Sequence, residues 1–246
     1  MGGESVICLI QEKTRGVLDS MSKKIFALVA MALVTLLLAG CNINLGGDSV
    51  RGVGEVVSRH RDVEQFNALS IEGNYVVVYR HAEESAITIV MQENLFEYFQ
   101  VSVRGGTLYV DSSRNFNTTN ANRPRIYVYT PYLEAANFRG AVSTTGWDVI
   151  NTEQFSINTE GAVGITMQLE VEYLNVAVAG AGSLTLSGSS DIINITGEGA
   201  FNISAGDLRI NGGRVNVYGV ANVTLSTLEN VEVSRTGLAR VRSASE

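Results

Sequence analysis

The chain of 246 residues is long enough for one or two domains with a sizeable core. Hydrophobic residues make up 45% of the sequence and charged residues 17%, which excludes a disordered tail and a coiled coil. The formal net charge of -7 argues against nucleic acid as a partner, because phosphate binding requires a concentrated basic surface.

The first part of the chain has the features of a secretion signal. Residues 21–40 carry a pair of lysines near their start, and an apolar run follows over 25–38. This run is shorter than the ~20 residues that a membrane-spanning helix needs, and it is typical of the hydrophobic region of a signal peptide. Because a complete signal starts at Met21, we interpret residues 1–20 as an extension from a mis-assigned start.

The signal ends in the letters LAGC, which resemble the lipobox of bacterial lipoproteins. In such signals cleavage falls between the last two residues, here Gly40 and Cys41, and the cysteine carries a diacylglycerol. We therefore expect Cys41 to be the lipid attachment point, with each buried methylene adding about 0.8 kcal/mol of anchoring. Asn42, in place of an aspartate, favours the outer membrane or an outward-facing surface. The alternative is an uncleaved N-terminal anchor helix.

Cys8 and Cys41 are the only cysteines, and both precede the segment expected to fold. This placement excludes a disulfide framework and a cysteine-based metal site from the folded part. Residues 41–57 contain several glycines and are predicted to form a flexible tether.

Residues 58–131 are predicted to be a strand-rich N-terminal part of a β domain. The stretches YVVVYR, SAITIVM, FQVSVRGGTLYV and RIYVYT are rich in β-branched and aromatic residues. The RGG at 104–106 separates two alternating runs, which predicts a hairpin. A short helix is predicted over 93–99 and a polar loop over 113–124.

Residues 132–246 contain an imperfect repeat. Its windows begin at Ala136, Phe155, Leu174, Ile193, Val215 and Val231. The first four windows start at a constant interval, the next interval is longer and the last is shorter. Within each window apolar residues alternate with polar ones, which is typical of a strand with one buried face.

The aligned windows form columns, and these columns predict the fold. Stacking successive turns about 4.8 Å apart would bury each apolar column as one continuous ridge. Two further columns consist of glycine (Gly161, Gly180, Gly199) at a corner and of asparagine (Asn175, Asn194, Asn216). We therefore predict an all-β fold, a β-helix or β-solenoid of stacked short strands with turns of about 19 residues over 132–246.

The stretches RDVEQFNALSIEGNYVVVYR, MQENLFEYFQVSVRGGTLYVDS and RIYVYTPYLEAANFRGAVS occur in this order and precede the Gly-interrupted repeats. Phe66, Ile71 and Gly73 lie in the first of them. This order resembles the bacterial domain family named putative auto-transporter adhesin, head GIN domain, over roughly residues 59–240. The resemblance implies a β-helical fold, a cell-envelope location and a role in adhesion, and it supplies no catalytic residues.

Few side chains could support catalysis. His60 and His81 are the only histidines, and we interpret them as a solvated strand end and a loop. Glu160 and Glu198 fall in one column two turns apart, which predicts about 9–10 Å between their backbones. Glycosidase carboxylates lie about 5–9.5 Å apart. Because Ala179 lies between the two glutamates and no aromatic platform is expected beside them, we interpret them as a solvated face.

The sequence favours a cell-envelope lipoprotein with a non-catalytic β-helical domain, a module for binding, adhesion or structure. Its expected partners are the membrane, through the lipid on Cys41, and a surface glycan or an envelope protein. No cofactor, no metal and no nucleic acid are expected. The alternatives are a carbohydrate-active β-helix enzyme and an envelope regulatory protein that acts through protein contacts.

Overall fold

The structure is a computed structural model that describes residues 49–245. The predicted cleavage and lipidation residues, Gly40 and Cys41, lie outside the described residues, as do the segments 1–20 and 21–40. Within the described part the protein is all-β, which confirms the predicted class.

The strands are β1 (Ser49–Arg51), β2 (Val56–Asp62), β3 (Ala68–His81), β4 (Ala86–Gln92), β5 (Phe99–Arg104), β6 (Thr107–Ser112), β7 (Asn115–Asn117), β8 (Arg125–Thr130), β9 (Ala135–Thr144), β10 (Ile150–Leu225), β11 (Val231–Gly237) and β12 (Arg240–Ser243). Two short 3-10 helices cover Glu93–Tyr98 and Asn120–Asn122.

Strand β3 joins the first part of the domain to the second. On one side it pairs in parallel with β9, so that Gly73 lies beside Gly140. On its other side it pairs in parallel with β6 and β8. Strand β8 pairs antiparallel with β4, and β4 pairs antiparallel with β2. The main sheet therefore runs open from β2 at one edge to β11 at the other.

The local predictions for the first part agree with the structure in most elements. Strands β5 and β6 form the predicted hairpin, and its two turn residues, Gly105 and Gly106, both have positive φ. The predicted short helix is the 3-10 helix Glu93–Tyr98. The predicted polar loop contains β7, which pairs in parallel with β1. Strand β1 covers Ser49–Arg51, which lie inside the segment 41–57 that was predicted to be a flexible tether.

Strand β10 runs for 76 residues and bends repeatedly, so that each pass of the chain lies against the one before it. A Cβ atom placed on Gly180 would lie 2.5 Å from the carbonyl oxygen of Gly161, and the same relation joins Gly199 to Gly180. These glycines have positive φ, a conformation that glycine adopts at no steric cost. The predicted glycine column is confirmed, and it also contains Gly73, Gly140, Gly219 and Gly237.

The pairing of neighbouring passes differs from the predicted one at three steps of the repeat. Ala136 pairs with Ile157, whereas the predicted windows align it with Phe155. Val215 pairs with Val233, whereas the predicted windows align it with Val231. Ile193 lies beside Gly213, whereas the predicted windows align it with Val215. All three predicted alignments were wrong by two positions, a slip that leaves every apolar side chain on the same face of its strand.

Asparagine side chains form hydrogen bonds between neighbouring passes. Asn194 Nδ2 donates to Asn175 Oδ1 over 3.2 Å, which confirms two members of the predicted column. Asn216 lies two positions off this column, because Gly219 stacks on Gly199 and sets the register of its pass.

The core is a continuous apolar interior along the stack. Its fully buried side chains include Leu69, Phe155, Ile157, Leu174, Leu184, Ile193, Ile203, Val215 and Val223. Burial of each such side chain contributes about 1.5–3 kcal/mol, so the alternating pattern of β9 and β10 is the main source of stability. The opposite faces of these passes are left to solvent.

Candidate binding groove

A row of outward-facing residues crosses the stack immediately before the glycine column. We call it the outer row; the members that line the groove are Glu72, Arg139, Glu160, Ala179, Glu198 and Tyr218. Neighbouring members belong to neighbouring passes and lie about 4.8 Å apart along the row. A second row, two positions earlier on each pass, points the same way because side chains alternate along a strand. Its members that line the groove are Ser70, Asn137, Asn158, Ala177 and Thr196.

The two rows line an open groove of about 630 Å³ on the outside of the stack. Its volume lies within the range of about 300–1,000 Å³ typical of ligand pockets. The backbone around Phe138 and Val178, whose side chains are buried in the core, forms its floor. The groove is thus carried by a rigid sheet rather than by loops.

At one end of the groove Arg139 forms ion pairs with two carboxylates, one on each neighbouring pass. Its Nε lies 2.9 Å from Glu160 Oε2, and its Nη1 lies 3.3 Å from Glu72 Oε2. The hydrogen bond and charge of Glu160, followed by those of Glu72, raise the pKa of Arg139 above its usual value. All three side chains are well exposed, so this network orients the groups more than it stabilises the fold.

The second row carries its own hydrogen bond at the same end. Asn158 Nδ2 donates to Asn137 Oδ1 over 2.7 Å. This bond uses the amide nitrogen of Asn158 and leaves its amide oxygen with its capacity to accept hydrogen bonds.

The middle of the groove is recessed because one pass carries only small side chains. Ala177 and Ala179 occupy the second and outer rows there, and we call the space above them the notch. The following pass carries Thr196 and Glu198 in the same rows. Tyr218 follows Glu198 in the outer row with 49% of its surface exposed, and it is the last member of that row to line the groove. The notch is therefore flanked by carboxylates, hydroxyl and amide groups, with an aromatic ring beyond it.

Glu160 and Glu198 lie in one row two passes apart, as predicted, with Ala179 between them. Glu160 is hydrogen-bonded to Arg139, whereas Glu198 has no hydrogen bond or ion pair with another described residue. The expectation that no aromatic side chain accompanies the pair was wrong, because Tyr218 follows Glu198 in the same row.

The two histidines lie away from the groove. His60 faces Thr88 across the antiparallel pair of β2 and β4, with 2.8 Å between Nδ1 and Oγ1, and its Nε2 lies 3.3 Å from Asp62 Oδ1. The His60 and Asp62 side chains are 59% and 91% exposed, so water screens this contact. His81 ends β3 and donates its backbone N–H to Asp148 Oδ2.

Among residues 49–245, no group of three or more His, Cys, Asp or Glu side chains is placed to hold a metal ion. Over the same range, no helix has the length and hydropathy needed to cross a membrane.

Residues 65–246 match the family described as putative auto-transporter adhesin, head GIN domain. No curated protein matches the sequence. Among solved structures, a putative adhesin from Bacteroides fragilis has 20% identity and a TM-score of 0.70, over 79% of this chain and 99% of that one. A putative lipid binding protein from Parabacteroides distasonis has 14% identity and a TM-score of 0.58, over 80% of this chain and 100% of that one.

A putative adhesin from Parabacteroides merdae has 15% identity and a TM-score of 0.51, with the same coverage of 80% and 100%. At these identities the likeness shows a shared fold. None of the three names denotes an enzyme.

Proposed function

From the premise that this chain belongs to the putative auto-transporter adhesin, head GIN domain family, we propose that it is a cell-envelope binding protein of the adhesion type. Its ligand would be a surface glycan held in the groove, and its mode of action would be binding without turnover. The observation that carries this proposal is the groove itself, because it combines hydrogen-bonding rows, a recessed notch and a terminal tyrosine on one rigid face.

The proposal includes a β-solenoid formed by the stacked passes, an architecture that suits binding of an extended ligand. Parallel pairing joins β3 to β9, β9 to β10, and β10 to β11 and β12. A solenoid presents the same backbone geometry on every pass, so an extended ligand can contact several passes in succession. Sugar hydroxyls require donors and acceptors at short intervals, and the second row offers amide and hydroxyl groups of that kind.

Filling the notch tests the groove as the binding site. The full chain would be applied to a glycan array, alongside Ala179→Trp and Ala181→Trp. Both alanines are exposed, but Ala181 lies beyond the glycine column and does not line the groove. We expect Ala179→Trp to weaken binding at least tenfold, about 1.4 kcal/mol, and Ala181→Trp to leave it unchanged.

Equal loss in both variants, or in neither, would contradict the groove as the binding site. The same array covers the enzymatic alternative. If the wild-type protein released shorter glycan products, and Glu160→Gln or Glu198→Gln abolished that release, the protein would be a glycan hydrolase and not a binding protein. We expect no such release, because the two glutamates lie two passes apart, about 9–10 Å between their backbones, at the upper limit of the carboxylate spacing of glycosidases.

We also propose that the protein is attached to the membrane through a lipid on Cys41. The support is the sequence LAGC after a hydrophobic run of signal-peptide length. Mass spectrometry of the mature N-terminus should find an acylated cysteine, and Cys41→Ser should move the protein from the membrane fraction to the soluble one. An unmodified N-terminus at Met1 would overturn the anchor and leave the groove proposal standing.

A further inference from the structure

We propose that the notch selects an amine-bearing oligosaccharide, a chain of sugars that carry free protonated amino groups. This inference rests on the proposed function, since it names the chemical class of the glycan that the groove would hold. It places one ammonium group beside Glu198, with the sugar ring seated over Ala177 and Ala179.

The charge of the groove is the first argument. Three carboxylates line it, those of Glu72, Glu160 and Glu198, against the single guanidinium of Arg139. Arg139 is engaged by the first two. Glu198 has no ion pair or hydrogen bond with another described residue. A carboxylate in this state attracts a cation, and a charge-assisted hydrogen bond to an ammonium group is roughly twice as strong as one between neutral groups.

The order of the passes is the second argument. Glu160, Ala179, Glu198 and Tyr218 follow one another along the outer row at successive steps of about 4.8 Å. A ring above Ala179 would therefore have a carboxylate on both sides. Its ammonium group would also come within reach of the Tyr218 ring, and a cation over an aromatic face is attracted to it.

The neutral groups supply the third argument. The amide oxygen of Asn158 and the hydroxyl of Thr196 lie in the second row on the passes before and after the notch. They offer an acceptor and a donor to the hydroxyls of the same ring. The hydroxyls of a sugar ring lie at short intervals and can each donate and accept, so one ring can match both groups, which favours a sugar as the carrier of the amine.

Two oligomers that differ only in the amine test the inference. The purified full chain would be titrated calorimetrically at about pH 5.5, where glutamates are ionised, with a β-linked glucosamine tetramer and with its N-acetylated counterpart. We expect the glucosamine tetramer to bind at least tenfold more tightly. Glu198→Gln should remove that preference by weakening the complex with the glucosamine tetramer. The matched control is Glu170→Gln, since Glu170 is exposed on β10 outside the groove.

Equal binding of the two tetramers would overturn the amine preference and leave the groove proposal intact. The same conclusion would follow if neither tetramer bound but another, neutral glycan did, and if Ala179→Trp abolished binding of that neutral glycan. A preference that survives Glu198→Gln, or that falls equally with Glu170→Gln, would show that general charge attraction is responsible and would also overturn it. Raising the salt concentration should weaken the glucosamine complex and not the acetylated one.

Discussion

At the scale of single residues, the glycine column depends on close backbone contacts that no side chain can replace. Gly161 has a φ of +112°, and a Cβ atom there would lie 2.6 Å from the carbonyl oxygen of Gly140. Gly164, on the same pass, has no such constraint, because its Cβ would lie 3.8 Å from the Cβ of Ser143. The two positions therefore form a natural pair for comparison.

We expect Gly161→Ala to lower the free energy of unfolding by about 2–4 kcal/mol, because it combines a left-handed backbone with a steric clash. Gly164→Ala should be neutral or stabilising by up to about 1 kcal/mol, since alanine loses less conformational entropy on folding than glycine. Urea denaturation of both variants would measure the difference. Equal effects at the two positions would contradict the role assigned to the column.

At the scale of elements, the sequence pattern predicted which residues face the core better than it predicted which residues are neighbours. An alternating pattern is unchanged by a shift of two positions, so hydrophobicity alone cannot distinguish pairing of Ala136 with Phe155 from pairing with Ile157. The segment that contains Trp147 lies between β9 and β10, and the neighbours Arg139 and Glu160 on either side of it are 21 residues apart, against 19 for Asn175 and Asn194. Only the glycines, which must contact each other, fix the register uniquely.

These slips explain which residues of the groove the sequence analysis missed. The predicted windows align Arg139 with Asn158, whereas the structure pairs it with Glu160. They also align Tyr218 with Thr196, which removes the tyrosine from the row of Glu198. An alignment anchored on the glycine column, which contains Gly140, Gly161, Gly199 and Gly219, would have placed both residues in the outer row.

The pairing of β3 with β9 could not be found by a search for repeats. Their glycines, Gly73 and Gly140, are far apart in sequence, because the hairpin of β5 and β6 and strands β4, β7 and β8 lie between them. At the other edge of the sheet, β11 places Arg235 where its neighbour β10 has the buried Val217. A charged side chain on the core-facing side of an edge strand opposes further strand addition.

At the scale of the whole domain, buried tyrosines stabilise the N-terminal part of the β domain together with the sheet. Tyr75 is fully buried between the rings of Phe99 and Phe116. Tyr79 packs against Trp147 and donates its hydroxyl hydrogen bond to the carbonyl oxygen of Thr130. Burial raises the pKa of each of these two tyrosines to about 12.

This shift predicts how stability depends on alkaline pH. The folded protein favours the neutral phenols, whereas in the unfolded chain they ionise near pH 10. Their contribution is therefore fully present below about pH 10 and is lost as pH rises towards 12. Urea denaturation at several pH values, followed by the fluorescence of Trp147, should show unfolding free energy falling across this window. Tyr75→Phe should reduce the fall by about 2 kcal/mol, and Tyr132→Phe, at an exposed position, should leave it unchanged. An equal fall in the wild-type protein and in Tyr75→Phe would contradict burial of a neutral Tyr75 as its cause.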